Sequence, residues 1–163
     1  MTNRVNQADD LAALARFCFS RRWFGLAVTN YAAAIELSPS DVGLHMEAGR
    51  ALVALGRHDD ARRQYLAAVE LDPDQAQPHM QLAVELGRLR KPALAEQEFR
   101  QALRLNPDLI EARADLGIAL YEQGKLEDAL KQFEDVLQRN PKDATALHYA
   151  QRLRNRPPLP AGR

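Results

Sequence analysis

Residues 44–73 read LHMEAGRALVALGRHDDARRQYLAAVELDP, and this stretch decides the fold. Leu44, Ala48, Ala51, Leu52 and Leu55 recur at steps of three and four, which is one apolar face of an α-helix. Gly56 stops that helix, and Asp59 or Asp60 is placed to begin another. Ala61, Tyr65, Ala68 and Val69 then form the apolar face of a second helix. It ends before Asp72-Pro73, because the residue ahead of a proline avoids the α region.

Outward from this stretch the pattern repeats. Pro39, Pro73, Pro107 and Pro141 stand 34 residues apart, and a fixed period of that size means a solenoid. Five more columns keep the step. They are Leu14, Ala48, Leu82 and Leu116; Ala15, Gly49, Ala83 and Gly117; Ala27, Ala61, Ala95 and Ala129. The other two are Tyr31, Tyr65, Phe99 and Phe133, and Ala34, Ala68, Ala102 and Val136. A tiny residue at 15, 49, 83 or 117, facing the alanine at 27, 61, 95 or 129, lets paired helices approach closely. The aromatic column fills the wider end of the seam. One pair cannot bury its whole apolar surface, so stacked neighbours must complete the core. Gly124 repeats the turn role of Gly56, whereas unit three has Arg90-Lys91-Pro92, with Pro92 suited to a first helical turn. Asp41, Asp74, Asp108 and Asp143 follow the prolines and are expected to cap the next first helix.

A 34-residue helix–turn–helix unit with these residues in these columns resembles the tetratricopeptide repeat (TPR) family. The resemblance implies an all-α, right-handed α-solenoid of four repeats, about 8–41, 42–75, 76–109 and 110–143, with a capping helix over 144–155. Residues 1–7 are expected to be flexible, and 156–163, rich in proline, a disordered tail. Leu11, His45, His79 and Arg113 hold the place where the family often carries Trp. Asp10 and Arg21 replace apolar residues of the later units, as expected where no repeat precedes them. Leu147, Ala150 and Leu153 are expected to face the array from the last helix.

Proteins of this family resemble one another in lining a concave groove with their first helices. On that alignment the groove carries Ala12, Arg16 and Phe19, then Met46, Arg50 and Val53. Met80, Val84 and Arg88 follow, then Ala114, Ile118 and Tyr121, with His148 and Arg152 from the cap. Met, Val, Ile and Tyr edged by Arg suit an amphipathic helix or an extended peptide of another protein. The family's carboxylate clamp, which holds a peptide C-terminus, would fall on Ala12, Arg16, Glu47, Gln77 and Gln81. Only Arg16 offers a charged donor there and Glu47 repels a carboxylate, so the clamp is not expected.

Composition narrows the function further. Among 163 residues, 22 Lys and Arg balance 22 Asp and Glu, which argues against nucleic acid or an anionic membrane as partner. Unit four nonetheless holds five basic and eight acidic residues, whereas residues 144–163 hold four Arg and no acid. No apolar run is long enough to span a membrane and the start is not a signal peptide, which makes cytoplasm the default location. Cys18, the one cysteine, sits in the core column of Leu52, Leu86 and Leu120. His45 and His79 lie one repeat apart, too far to share a metal. Neither a nucleophile–base pair nor a phosphate loop is visible, so no enzyme activity and no cofactor are expected. Phe17, Phe19, Trp23 and Phe24 make the N-terminal end rich in aromatics. Either Trp23 and Phe24 fold back and seal that end, or Phe17 and Trp23 form a self-association surface, making a homodimer or scaffold the alternative to a peptide adaptor. Glu85 stands in an otherwise apolar column and is expected to reach out to Arg62 or Arg63.

Overall fold

The computed structural model describes residues 2–156, so the proline-rich segment expected to be disordered lies, but for Arg156, outside the described residues. Among the described residues the chain forms nine α-helices and no strand. They are α1 (Thr2–Ser20), α2 (Phe24–Leu37), α3 (Val42–Ala54), α4 (His58–Leu71), α5 (Ala76–Arg88), α6 (Pro92–Leu105), α7 (Ile110–Glu122), α8 (Leu126–Arg139) and α9 (Ala144–Arg154). Helix α1 begins at Thr2, within the segment 1–7 expected to be flexible, and Ala8 is buried. Each helix packs on its neighbours in sequence, and α5 also touches α7 across the solenoid.

Ring packing sets the spacing within each pair. A methyl group added at Gly117 would lie 2.7 Å from Phe133 Cε1, and one at Gly49 would run into the Tyr65 ring. At Gly49 and Gly117 the small column therefore faces the aromatic ring of its own repeat at closest range. Tyr65 and Phe133 are fully enclosed, so the ring cannot step aside. Cys18 and its column mates Leu52, Leu86 and Leu120 are buried with them.

The turn inside each repeat closes in the same way. Arg57 N–H donates to Leu52 O at 2.9 Å and Gly56 N–H donates to Val53 O at 2.9 Å, a Schellman motif. Gly56 (φ 72°) and Gly124 (φ 76°) occupy its left-handed position, but Arg22 (φ 64°) and Arg90 (φ 57°) do so without glycine. At the start of the first helices, Asp41 accepts from Leu44 N–H and Asp143 from Ala146 N–H. Asp74 and Asp108 do not cap, contrary to expectation, because they directly follow their prolines while the cap lies one residue later, at Gln75 and Leu109. Asp59 and Asp60 stand in the first turn of α4, after the uncapped Arg57, where their charges complement the helix dipole.

Polar links join successive units. His45 Nε2 and His79 Nε2 each lie 3.0 Å from a proline carbonyl, Pro39 and Pro73, and Arg113 Nη2 donates to Pro107 O at 3.0 Å. In the second to fourth repeats the column that often holds Trp in the family is thus a basic residue hooked on the preceding loop, while the first repeat has Leu11 there. Glu85 is buried against His58 Nδ1 at 2.7 Å and Arg88 Nε at 3.6 Å; Arg62 and Arg63, expected to hold it, pair with Asp59 and Asp60. Burial pushes the carboxyl of Glu96 up, but hydrogen bonds from Lys125, Gln123 and Arg100 outweigh that and hold it below its ordinary value. At the C-terminal end, Ala146 and Ala150 are buried and Tyr149 stacks on Phe133 at 5.1 Å, whereas Leu147, expected to face inwards, is exposed.

Two glycines test the ring contact. Gly87 has open space where a methyl group would go. Gly87→Ala should therefore stabilise by up to about 1 kcal/mol through helix propensity. Gly117→Ala should lose that gain to overpacking, which costs about 1–3 kcal/mol. Urea unfolding of both variants checks this, and equal responses would contradict the contact.

Candidate functional site

The expected groove residues separate by depth. Ala12, Ala114 and Met80 are buried, Met80 with only 7% of its surface exposed. They belong to the core rather than to a ligand surface, because repeats stack on both sides of them and the unbranched Met side chain folds into the seam. Phe19, Met46, Val53, Val84, Ile118 and Tyr121 are half-buried against the core, and Arg16, Arg50 and Arg88 are exposed.

Arg16, Phe19, Arg50, Val84, Arg88 and Ile118 line two concave regions, whereas Met46, Val53 and Tyr121 line neither. The first is lined by Arg16, Phe19, Tyr31, Glu47 and Arg50. Arg16 Nε donates to both Glu47 oxygens at 2.9 Å, so its charge is already met. Arg50 lies over the Phe19 ring at 5.9 Å, a cation–π arrangement. Burial, followed by the Glu47 charge, pushes the Tyr31 hydroxyl up to about 12. Arg16 was the single clamp residue that matched, and it is not free to receive a carboxylate.

The second region is a cavity of about 250 Å³ between α5 and α7. Val84, Phe99, Ile118 and Ala119 form apolar walls, and Arg88, Asp115 and Glu122 bring charge. The sequence reading found Val84, Arg88 and Ile118 but missed Asp115 and Glu122. Their signal was the spacing: 115, 118 and 122 step by three and four along one face of α7. Burial, then the nearby Glu111 charge, pushes the Asp115 carboxyl up to about 6, with Arg88 pulling the other way. Among the described residues, no hydrogen bond to Asp115 offsets its burial.

The stripe closes at α9. Arg152 lies 5.6 Å over the Tyr121 ring, and Tyr149 packs on the same ring edge-on at 5.1 Å. At the opposite end Phe17 and Trp23 are 50% and 52% exposed and meet edge-to-face at 6.1 Å. Leu14 and Leu26 are exposed beside them in sequence. Of the two aromatics expected to seal this end, Phe24 does turn inwards onto Phe19 at 5.3 Å, but Trp23 stays open. Among the described residues no three His, Cys, Asp or Glu side chains are grouped to hold a metal ion. No described helix is long and apolar enough to cross a membrane.

The environment of Asp115 makes a pH-dependent prediction. Its carboxyl titrates near 6 in the folded chain against 3.8 in an unstructured one, so folding favours the protonated form. Stability from this group is present below pH 3.8 and falls as pH rises to about 6. Asp115→Asn should be more stable than wild type by about 1–3 kcal/mol at pH 7, and equal to it near pH 3.5. Denaturant unfolding at the two pH values checks the difference. A variant no more stable at pH 7 would show that the carboxylate is fully solvated.

Family models match most of the repeat region: one described as tetratricopeptide repeat covers residues 80–144, and one described as TPR repeat covers 49–88. No curated protein matches the sequence. Among solved structures, YrrB, described as a TPR protein with an unusual peptide-binding site, is 26% identical. It superposes with a TM-score of 0.80 over 88% of this chain and 74% of that one. TTC0263, a thermophilic TPR protein of Thermus thermophilus, is 27% identical with a TM-score of 0.68, over 90% and 81% of the two chains. The first TPR of Spaghetti (RPAP3), solved with the HSP90 peptide SRMEEVD bound, is 27% identical with a TM-score of 0.67, over 69% and 90%. Matched over residues 49–144 by two models and over 69–90% of its length by these structures, the chain belongs to the tetratricopeptide repeat family.

Proposed function

We propose that this chain is a non-catalytic adaptor that binds a peptide or an amphipathic helix of another protein in its concave groove. The observation that carries this reading is the open run of half-buried Phe19, Met46, Val53, Val84, Ile118 and Tyr121, interleaved with exposed Arg50 and Arg88. Such side chains already sit in fixed positions, so a ligand can cover them with little further ordering. Peptide recognition by two structural neighbours supports the reading, YrrB and the RPAP3 domain with its HSP90 peptide. Recognition here does not follow a carboxylate clamp, because Arg16 is held by Glu47.

Substitutions on the two faces of the solenoid test it. Arg50→Ala with Tyr121→Ala strips the groove of an exposed cation and a half-buried ring. Leu66→Ser with Leu94→Ser alters exposed positions on the second helices α4 and α6. In a quantitative pull-down, partners of the wild type should fall by roughly tenfold or more with the groove pair, since an aromatic or Arg anchor is worth more than about 1 kcal/mol. They should persist with the second pair, and the opposite pattern would move the binding surface to the convex face.

Self-association is the second reading, and the half-exposed Phe17 and Trp23 favour it. Large aromatics left open at an end, near Leu14 and Leu26, make a patch that a second copy can cover. If so, sedimentation of the wild type over a concentration series should show a dimer, and Trp23→Ser should convert it to monomer without lowering its Tm. A wild type that is monomeric throughout would remove this reading.

A further inference from the structure

We propose that the cavity between α5 and α7 is the specificity pocket of the groove and takes a lysine or arginine side chain, flanked by apolar residues, from a partner peptide. The inference deepens the adaptor reading and rests on it. Val84, Ile118 and Phe99 offer an apolar lining for the methylene stem of such a side chain, while Asp115 and Glu122 offer carboxylates to its charged head. At about 250 Å³ the space suits one long side chain better than a compact ligand, whose pockets run to about 300–1,000 Å³.

Charge decides the kind of occupant. Arg88 is the basic group at this cavity, and buried Glu85 lies 3.6 Å from it. Glu111, one turn before Asp115 on α7, adds a further negative charge. An incoming carboxylate is repelled here, and a purely apolar side chain would bury Asp115 without a partner. A cation supplies the missing partner instead. The first concave region differs, since Arg16 and Glu47 already neutralise each other there. The preference for a basic residue is therefore confined to the third and fourth repeats.

A random dodecapeptide phage library, selected on the full chain at pH 7.5, tests the pocket. The enriched peptides should share a Lys or Arg beside apolar residues. A synthetic peptide of that sequence should lose roughly tenfold or more in affinity when its basic residue becomes Gln. Against Asp115→Asn, which keeps the shape of the side chain, the two peptides should bind nearly alike. Wild-type affinity for the basic peptide should also weaken from pH 7.5 to pH 5, and that of Asp115→Asn should not. Enriched peptides without a basic preference, or a Lys-to-Gln ratio unchanged in Asp115→Asn, would overturn the pocket and leave the groove standing. Failure to enrich any peptide, or binding indifferent to Arg50→Ala with Tyr121→Ala, would overturn the groove reading and this inference with it.

Discussion

An aromatic ring pressed against a position with almost no side chain governs the whole array. Where Gly49 meets Tyr65 and Gly117 meets Phe133, the ring lies where a Cβ would otherwise stand. The first and second helices of a repeat can then approach until their backbones nearly touch the ring. The other two members of the aromatic column line the concave regions, Tyr31 the first and Phe99 the second. One column of rings thus bears both on the distance between paired helices and on the shape of the concave surface. A longer residue in the small column would push the pair apart and make the groove shallower.

Between repeats the cohesion is more polar than the composition suggests. Buried Glu85 and Glu96 are each placed against a basic group of another repeat, His58 at the start of α4 and Lys125 just ahead of α8. The hooks from His45, His79 and Arg113 to the proline carbonyls bind each loop to the helix that follows it. Apolar stacking would permit a repeat to slide along its neighbour. Hydrogen bonds with fixed partners do not, so they set the register that the rings leave open. Breaking one such pair by removing a single partner would strand the other in the interior, at greater cost than losing both.

The period of 34 residues, the two helices per unit, the turns at Gly56 and Gly124 and the enclosure of Cys18 were all legible in the sequence, because each depends on local spacing or on a column. Depth within the groove was not legible. Met46 and Met80 occupy the same column, yet Met80 is buried and Met46 remains partly open, since that difference depends on what the flanking repeats press against it. Asp115 and Glu122 were overlooked because acidic residues on an outer helix face are ordinarily solvated; only the placement of α5 against α7 encloses one of them. The partner of Glu85 was mistaken for a similar reason. Arg62 and Arg63 were nearer candidates in charge, but acids three residues before each engage them first. Capping by Asp74 and Asp108 failed on an offset of one residue, which a column of prolines alone cannot resolve.

Apart from the touch between α5 and α7, the described helices pack mainly on those next to them in sequence. Among the described residues no strut ties the first repeat to the last. Such a molecule has the compliance of a coil spring: a rotation of a few degrees at each joint adds up along the array, while no single joint is strained. Stiffness is thus a local property, set where Arg16 meets Glu47 between α1 and α3, Tyr121 meets Tyr149 between α7 and α9, and α5 touches α7. An occupant wedged between α5 and α7 would act as a spacer on one hinge of the coil. Its size would be read out as a change in curvature at the far ends, where the open Trp23 and the packed Tyr149 stand.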